Sequence, residues 1–242
     1  MRGLGLGLGL NRLSGGGGFS PASLTPTAYY DPNDLATVWQ DSARTTPGAV
    51  NSPVGALDDK SGNGNHLLQA TAGKRPILRL SGGFYHLEYD GVDDYLGKVF
   101  TLNQTHTRIT AFRMVVWSSG GRIMDGSAGN GAGLLMNGAS PNIQMYAGAF
   151  GPATSALAVG TFGVVTERFS GATSRIAVNN GAYNTADAGA GAATGLTVAE
   201  YGDLGIPANV LFGRIILAAR DLSDAEVTSS REWCAAGSGI TL

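Results

Sequence analysis

From residue 76 onward the chain consists of short apolar runs separated by Gly, Asn, Ser and Pro. The runs are rich in β-branched and aromatic residues, which favour short β-strands. Because no helical segments alternate with them, the pattern predicts an all-β, antiparallel sandwich rather than a parallel sheet. The predicted strands are residues 84–89, 95–100, 107–117, 134–136, 143–146, 163–169, 175–178 and 210–218.

Two turn signals refine this pattern. Asn180-Gly181 lies between two apolar runs and predicts a tight hairpin, because both residues tolerate the left-handed backbone of such turns. Residues 31–39 begin with Asp31 and Pro32, a pair that suits the cap and first position of a helix. We therefore expect a short helix or turn in residues 31–39.

The C-terminal region carries the clearest helix signal. Ser223 and Glu226 have the spacing of a capping box, and the helix is predicted to run to about Ala236 and to stop at Gly237. Cys234 lies in this helix and is the only cysteine, so an internal disulfide and a cysteine-based zinc site are excluded. A nucleophilic role is the alternative for this residue, but a buried position in the helix is favoured.

Residues 1–28 form a distinct Gly/Leu-rich arm and linker, and residues 29–242 form the predicted domain. In an extended arm, alternate leucines lie on one side while the intervening glycines leave the other side bare. The arm alone cannot bury enough apolar surface to offset its chain entropy, so we expect it to dock on another protein. A flexible leader remains the alternative. The residues predicted to bind a partner are Leu4, Leu6, Leu8, Leu10 and Phe19.

Composition narrows the class of protein. Of 242 residues, 38 are Gly, which indicates many turns, and 43% are hydrophobic, which is enough for a substantial core. The formal charge is −2 and there is no basic cluster, so nucleic-acid binding is not expected. No apolar run approaches the length of a membrane span.

Several short motifs occur in a characteristic order. They are the turn-rich run at residues 58–66, the broken aromatic strand at 88–96, the strand ending in Asn-Gly at 175–181, and the strand with its capped helix at 213–226. In this order they resemble the laminin-G-like, concanavalin A-like domain found in structural proteins of tailed bacteriophages. The resemblance covers about residues 28–240.

This resemblance implies a jelly-roll sandwich with a short C-terminal helix and an extended N-terminal arm. It implies a multi-copy virion component, in a tail tip, fibre or decoration protein, that contacts other virion proteins and a host-surface glycan. A free carbohydrate-binding module or secreted lectin is the alternative. Residues 120–160 match little, and a binding surface could have diverged there.

The family resemblance also raises the question of catalysis, since related glucanases carry Glu-x-Asp-x-x-Glu on one strand. Here Glu88 and Asp90 are followed by Asp93, and the acid series is broken at Gly91. A pair of suitably placed carboxylates is needed for glycoside hydrolysis. We therefore expect no catalytic residues and no enzyme.

A calcium site is the one candidate metal centre. The loop at Asp59 begins like an EF-hand, but Ala70 stands where the bidentate acid should be. A calcium site without the EF-hand spacing is the remaining possibility, and its candidate ligands are Asp59, Asp90, Asp93 and Asp94. Turn capping is the alternative role for these aspartates. Apart from this calcium ion, no cofactor is expected.

Trp117 is the candidate for a sugar contact. It ends a predicted strand beside a Ser/Gly-rich turn, where an exposed indole could stack on a sugar ring. Core packing is the competing role for Trp117 and the favoured one for Trp39 and Trp233.

Overall fold

The structure is a computed structural model that describes residues 18–127, 131–200 and 205–242. In these residues two antiparallel sheets, sheet A and sheet B, pack face to face, and the one α-helix follows the last strand. This confirms the predicted all-β sandwich. Sheet A contains β1 (Ala28–Tyr30), β5 (Ile77–Ser81), β6 (Phe84–Asp90), β8 (His106–Met114), β13 (Phe162–Phe169), β14 (Arg175–Val178), β15 (Asn184–Thr185) and β17 (Asn209–Ala218). Sheet B contains β2 (Val38–Trp39), β3 (Ala56–Leu57), β4 (Leu67–Leu68), β7 (Leu96–Leu102), β9 (Arg122–Asp125), β10 (Gly133–Met136), β11 (Ile143–Tyr146), β12 (Phe150–Thr154) and β16 (Ala193–Val198).

The strand order explains how one chain builds both layers. Sheet A runs β15-β14-β13-β8-β17-β6-β5, and β1 pairs with the far end of β17. Sheet B runs β12-β11-β10-β9-β16-β7-β4-β3-β2. At one side of the sandwich Asn184 Nδ2 on β15 donates a hydrogen bond of 2.7 Å to Ala153 O on β12. The edges of the two sheets are thereby joined.

Alternation along the strands produces two apolar layers. On β8, Phe112 and Met114 point between the sheets into the main core, while Ile109 and Ala111 point to the outside of sheet A. That outer face is covered by the helix α1 (Asp224–Ala236). Both faces of β8 are therefore buried, and its polar residues Thr107, Arg108 and Thr110 are buried together with the apolar ones.

Helix α1 begins and ends where the sequence predicts. The Ser223 side chain accepts a hydrogen bond from the Glu226 backbone N–H, and the Glu226 carboxylate accepts one from the Ser223 N–H. Cys234 is fully buried against the outer face of sheet A, and burial raises the pKa of its thiol. The buried position expected for this residue is confirmed.

An ion pair lies inside the main core. Arg108 on β8 and Glu167 on β13 face each other in register, and their side chains are 3% and 0% exposed. Arg108 Nε and Nη2 donate to the two Glu167 oxygens at 2.6 and 2.5 Å, and Nη1 donates to Ala132 O at 3.1 Å. Such two-pronged geometry is the strongest available to a guanidinium and a carboxylate.

The described part of the expected arm lies on the sandwich. Phe19 packs, partly buried, against the apolar cluster under helix α1, and Leu24 is buried there after the 3-10 turn Pro21–Leu24. Ala28 already belongs to β1. The chain is thus attached to the domain several residues before the predicted boundary at 28. The other predicted partner-binding residues, Leu4, Leu6, Leu8 and Leu10, lie outside the described residues.

Two local predictions need correction. The short helix or turn expected in residues 31–39 is present as the 3-10 turn Leu35–Thr37, but Trp39 lies on β2 and not in a helical segment. The hairpin between β14 and β15 exists, but its loop spans residues 179–183, wider than a two-residue Asn-Gly turn. The reason is Asn179, which takes a left-handed backbone and pairs with Val164 through its N–H and its side-chain oxygen. No helix in the described part of the chain is long and apolar enough to span a membrane.

Candidate functional site

Asp59 organises a loop through hydrogen bonds to its carboxylate. Its Oδ1 accepts hydrogen bonds from the backbone of Tyr29 and Ser61, and its Oδ2 accepts from the backbone of Asn65 and the Ser61 hydroxyl. These bonds hold the Ser-Gly-Asn-Gly-Asn loop against β1. Asp59 is therefore placed as a turn-capping residue and does not belong to the acidic cluster described next.

Asp90, Asp93 and Asp94 do come together. One carboxylate oxygen from each lies within 4.8 Å of the others. They meet because Gly91 has a positive φ of 76° and contacts Asn209 so closely that a Cβ would lie 2.8 Å from the Asn209 side chain. Burial raises the pKa of Asp94 to about 6, against a hydrogen bond from the Asp90 N–H that lowers it. Oxygen ligands of this kind suit calcium, so these three residues are the candidate metal centre.

Glu88 lies on β6 in an ion pair with Arg79 on the neighbouring strand β5. The two side chains are 34% and 40% exposed. Glu88 therefore lies on the outer face of sheet A, opposite the core residues Leu87 and Tyr89.

Trp117 lies just beyond β8 and is partly buried against the main core. Its indole Nε1 points to Asn142 O at 3.5 Å, a long contact. Part of the ring therefore packs within the domain.

A different aromatic surface lies on the outer face of sheet B. On β11, Ile143 and Met145 point into the core, so Gln144 and Tyr146 point to the other face. Tyr146 pairs in register with Phe150 on the edge strand β12, and their rings meet edge to face with centroids 5.3 Å apart. Phe150 is 58% exposed. We call Tyr146 and Phe150 the aromatic platform.

Charged and polar groups support the platform from beneath and beside it. The Arg122 guanidinium lies 5.6 Å from the centre of the Tyr146 ring, and Arg122 Nη1 lies 3.6 Å from Asp125 Oδ2. Gln144 is fixed by two hydrogen bonds: it accepts from Asn137 Nδ2 at 2.5 Å and donates to Gly151 O at 2.8 Å. The tyrosine ring is thus held in one orientation by a cation on its face and an ordered amide next to it.

Asp125 is the buried acid of this surface. It is 1% exposed, its Oδ1 accepts from the Gly126 N–H at 2.7 Å, and burial raises its pKa, opposed chiefly by Arg122. Its carboxylate lies directly over Gly133, where a Cβ would be 3.0 Å from Oδ2. A Cβ at residue 133 would press on this carboxylate, which would have to move by a few tenths of an ångström.

The sequence analysis identified the neighbourhood but not these residues. It predicted the strand at 143–146 and named residues 120–160 as the region where a binding surface could lie. The alternation Ile-Gln-Met-Tyr was the available signal, since it separates the core positions from Gln144 and Tyr146. Phe150 could not be assigned, because its strand is not evident from a Gly- and Pro-containing sequence.

Several solved structures share this fold. An arabinofuranosidase complexed with arabinofuranosyl-α-1,2-xylobiose is 13% identical with a TM-score of 0.64, over 90% of this chain and 65% of that one. Domain 4 of AbnA, an extracellular arabinanase from Geobacillus stearothermophilus solved with arabinotriose, is 11% identical with a TM-score of 0.57, over 85% of this chain and 98% of that one. The Trypanosoma rangeli sialidase in complex with sialic acid is 14% identical with a TM-score of 0.57, over 89% of this chain and 33% of that one.

These similarities show a shared β-sandwich fold, consistent with the expected concanavalin A-like jelly roll. The chain spans about one third of the sialidase and about two thirds of the arabinofuranosidase. No family model and no curated protein matches the chain.

The same comparisons correct one expectation. The sequence analysis expected no enzyme, whereas the similar solved structures are a sialidase, an arabinofuranosidase and a domain of an arabinanase. The expectation rested on the broken acid series at residues 88–93 alone, and it was wrong because this fold occurs in glycosidase chains.

Proposed function

We propose that this chain is a glycan-binding β-sandwich domain whose binding surface is the aromatic platform on the outer face of sheet B. The observation that carries the proposal is the exposure of Phe150. In the described residues it is the only aromatic side chain that is mostly exposed. Phe150 and the Tyr146 ring that it meets form an apolar surface open to water beside ordered polar groups, and such aromatic surfaces suit ligand binding.

The platform suits the chemistry of a saccharide. A sugar ring presents an apolar C–H face, which packs on an aromatic ring, and a rim of hydroxyl groups, which require hydrogen-bonding partners. Phe150 and Tyr146 supply two rings at an angle, and Gln144 lies next to them on β11. The platform lies at the edge of sheet B, where β12 is the last strand.

The similar structures support a carbohydrate ligand in general terms. Domain 4 of AbnA, which this chain matches over 98% of that domain, was solved with arabinotriose. The arabinofuranosidase was solved with a substituted xylobiose. We infer from them an oligosaccharide that contains arabinose or xylose as the first class of ligand to examine.

The proposed setting of the domain is a virion, as a tail or decoration component of a tailed phage or phage-like particle, bound to other virion proteins through the Gly/Leu-rich part of the arm that contains Leu4, Leu6, Leu8 and Leu10. The motifs described above and the Gly/Leu pattern of the arm support it. A free carbohydrate-binding module or secreted lectin is the alternative. Mass spectrometry of purified particles from the source culture distinguishes the two: a structural component is present in particles in constant proportion to the capsid protein.

The binding proposal is tested with three proteins: wild type, Phe150→Ala and the control Val99→Ala. Val99 lies on β7 of the same sheet and is 70% exposed, so it matches Phe150 in exposure without belonging to the platform. A glycan array identifies the ligand, and calorimetry measures the affinity.

Fully burying a Phe side chain is worth about 1.5–3 kcal/mol, so covering a ring that is 58% exposed is worth roughly 1–2 kcal/mol. Phe150→Ala should therefore weaken binding by about five- to thirtyfold, and Val99→Ala should leave it unchanged. Equal affinity of Phe150→Ala and wild type for the selected glycan would rule out the platform as the binding surface.

A further inference from the structure

A second pocket lies on the opposite side of the sandwich, on the outer face of sheet A. It has a volume of about 230 Å³. Its walls include His86 on β6, Arg113 on β8, Phe162 at the start of β13, Phe84, and Ser238 after helix α1. It is separated from the aromatic platform by the full thickness of the two sheets.

Three polar side chains converge on this pocket without partners. His86 is 1% exposed, and neither of its ring nitrogens has a hydrogen-bond partner in the part of the chain that the structure describes. The same holds for Arg113 Nε and for Ser238 Oγ, whose residue is 5% exposed. Buried polar groups are nearly always partnered, so three such groups around one cavity point to a ligand that supplies the missing partners.

The charge of the pocket lining favours a carboxylate over a phosphate. His86 is neutral, because burial and then the charge of Arg113 lower its pKa to about 4. Arg113 is therefore the only charged residue of the lining, and it forms no ion pair with any described residue. One guanidinium matches the single charge of a carboxylate, which it binds through two parallel hydrogen bonds, better than the nearly double charge of a phosphate monoester.

The aromatic side chains and the volume of the pocket indicate that the ligand has an apolar face and the size of one small ring. Phe162 stacks on His86, with centroids 4.4 Å apart, and holds the Arg113 guanidinium 5.3 Å from its own ring centre. Phe84 closes the side next to Gly239. A volume of about 230 Å³ is below the range of drug-sized pockets, so it suits one small ring and not a chain of them.

We propose that this pocket binds an acidic monosaccharide unit, with its carboxylate on Arg113 and Ser238, a ring hydroxyl on His86, and its apolar face on the aromatic side chains. This second site does not depend on the aromatic platform.

The test uses the full chain and D-glucuronate as the probe, with D-glucose and acetate as the two partial probes. Binding is followed by the NMR signal of the Arg113 Nε–H and by calorimetry. The variant is Arg113→Met, which keeps the apolar stem on Phe162 and removes the charge. The control is Arg175→Met, since Arg175 on β14 also lies on an aromatic ring, that of Tyr183 in the loop 179–183. Arg175 pairs with Arg168, near the opposite end of β13 from Phe162.

Glucuronate should shift the Arg113 signal, and Arg113→Met should weaken its binding by about tenfold or more, the usual worth of a hydrogen-bonded charge. Arg175→Met should bind as wild type does. Arg113→Met should also unfold at a temperature no lower than wild type, because it removes an unpaired, half-buried charge. This separates a binding role from a structural one.

Each other result contradicts the proposal in a defined way. Equal binding of glucose would exclude the carboxylate contact, and equal binding of acetate would exclude the sugar ring. Failure of all three probes to shift the Arg113 signal would show that the unpartnered groups are satisfied by water alone.

Discussion

Breaking the ion pair between Arg108 and Glu167 should destabilise the sandwich far more than breaking an ion pair on its surface. The perturbation is Glu167→Gln, which keeps the shape of the side chain and removes its charge. The guanidinium of Arg108, only 3% exposed, then remains charged in the core without a counter-ion. Removing one partner of a buried pair typically costs about 3–5 kcal/mol.

The matched control is Glu88→Gln. Its partner is again an arginine on a neighbouring strand of sheet A, but the side chains of Glu88 and Arg79 are 34% and 40% exposed. Because solvent screens this pair, its loss should cost about 1 kcal/mol or less. The contrast between the two variants isolates the effect of burial.

Urea unfolding followed by tryptophan fluorescence measures both variants, and thermal unfolding provides a second readout. For a chain of this size about 1 kcal/mol corresponds to roughly 2–4 °C, so Glu167→Gln should unfold about 6–20 °C below wild type. The double variant Arg108→Met with Glu167→Leu should recover most of the loss, because it leaves no charge in the core. A Glu167→Gln variant as stable as Glu88→Gln would refute this reasoning.

Four further outcomes follow from the structure. With EDTA present, the stability of wild type should fall relative to that of Asp94→Asn as the pH rises from about 3.8 to 6. The reason is the raised pKa of Asp94, because in this pH range the folded state holds a proton that the unfolded state has lost. Urea midpoints that change with pH in parallel for the two proteins would contradict this prediction. If Asp94 helps to hold calcium, the added ion should raise the melting temperature of wild type but not of that variant. The Cys234 thiol should resist Ellman's reagent until urea unfolds the chain, because it is fully buried and burial raises its pKa; fast native labelling would show that helix α1 opens. Deleting residues 1–17 should leave the urea midpoint unchanged. Deleting residues 1–26 removes Phe19 and the buried Leu24, so it should lower the free energy of unfolding by at least about 2 kcal/mol. Equal stability of the two truncated proteins would place the domain boundary after residue 26.

Local signals in the sequence were sufficient where the local chemistry decides the structure. The capping box at Ser223 places the start of helix α1, because both hydrogen bonds form between residues three apart. The strand Ile143–Tyr146 follows from alternation alone. The two-residue strands β2, β3 and β4 were not predicted, since they are held by their neighbours in sheet B and not by their own propensity.

The functional surfaces were harder to predict because they combine distant parts of the chain. Tyr146 and Phe150 are close in sequence, but Arg122 reaches the tyrosine ring only through the pairing of β9, β10 and β11. Likewise, His86, Arg113 and Ser238 meet across sheet A and the end of helix α1. The acidic cluster was found because a single Asp-Gly corner brings its three members together.

The most direct test of the glycan-binding proposal is an NMR titration of the isotope-labelled chain with the oligosaccharide selected by the glycan array. We expect saturable shifts confined to β11, β12 and the adjoining β10, with the largest changes at the rings of Tyr146 and Phe150. Saturable shifts centred on Trp117 or on the Asp90–Asp94 corner, with the platform unchanged, would show that the glycan binds elsewhere and would contradict the account.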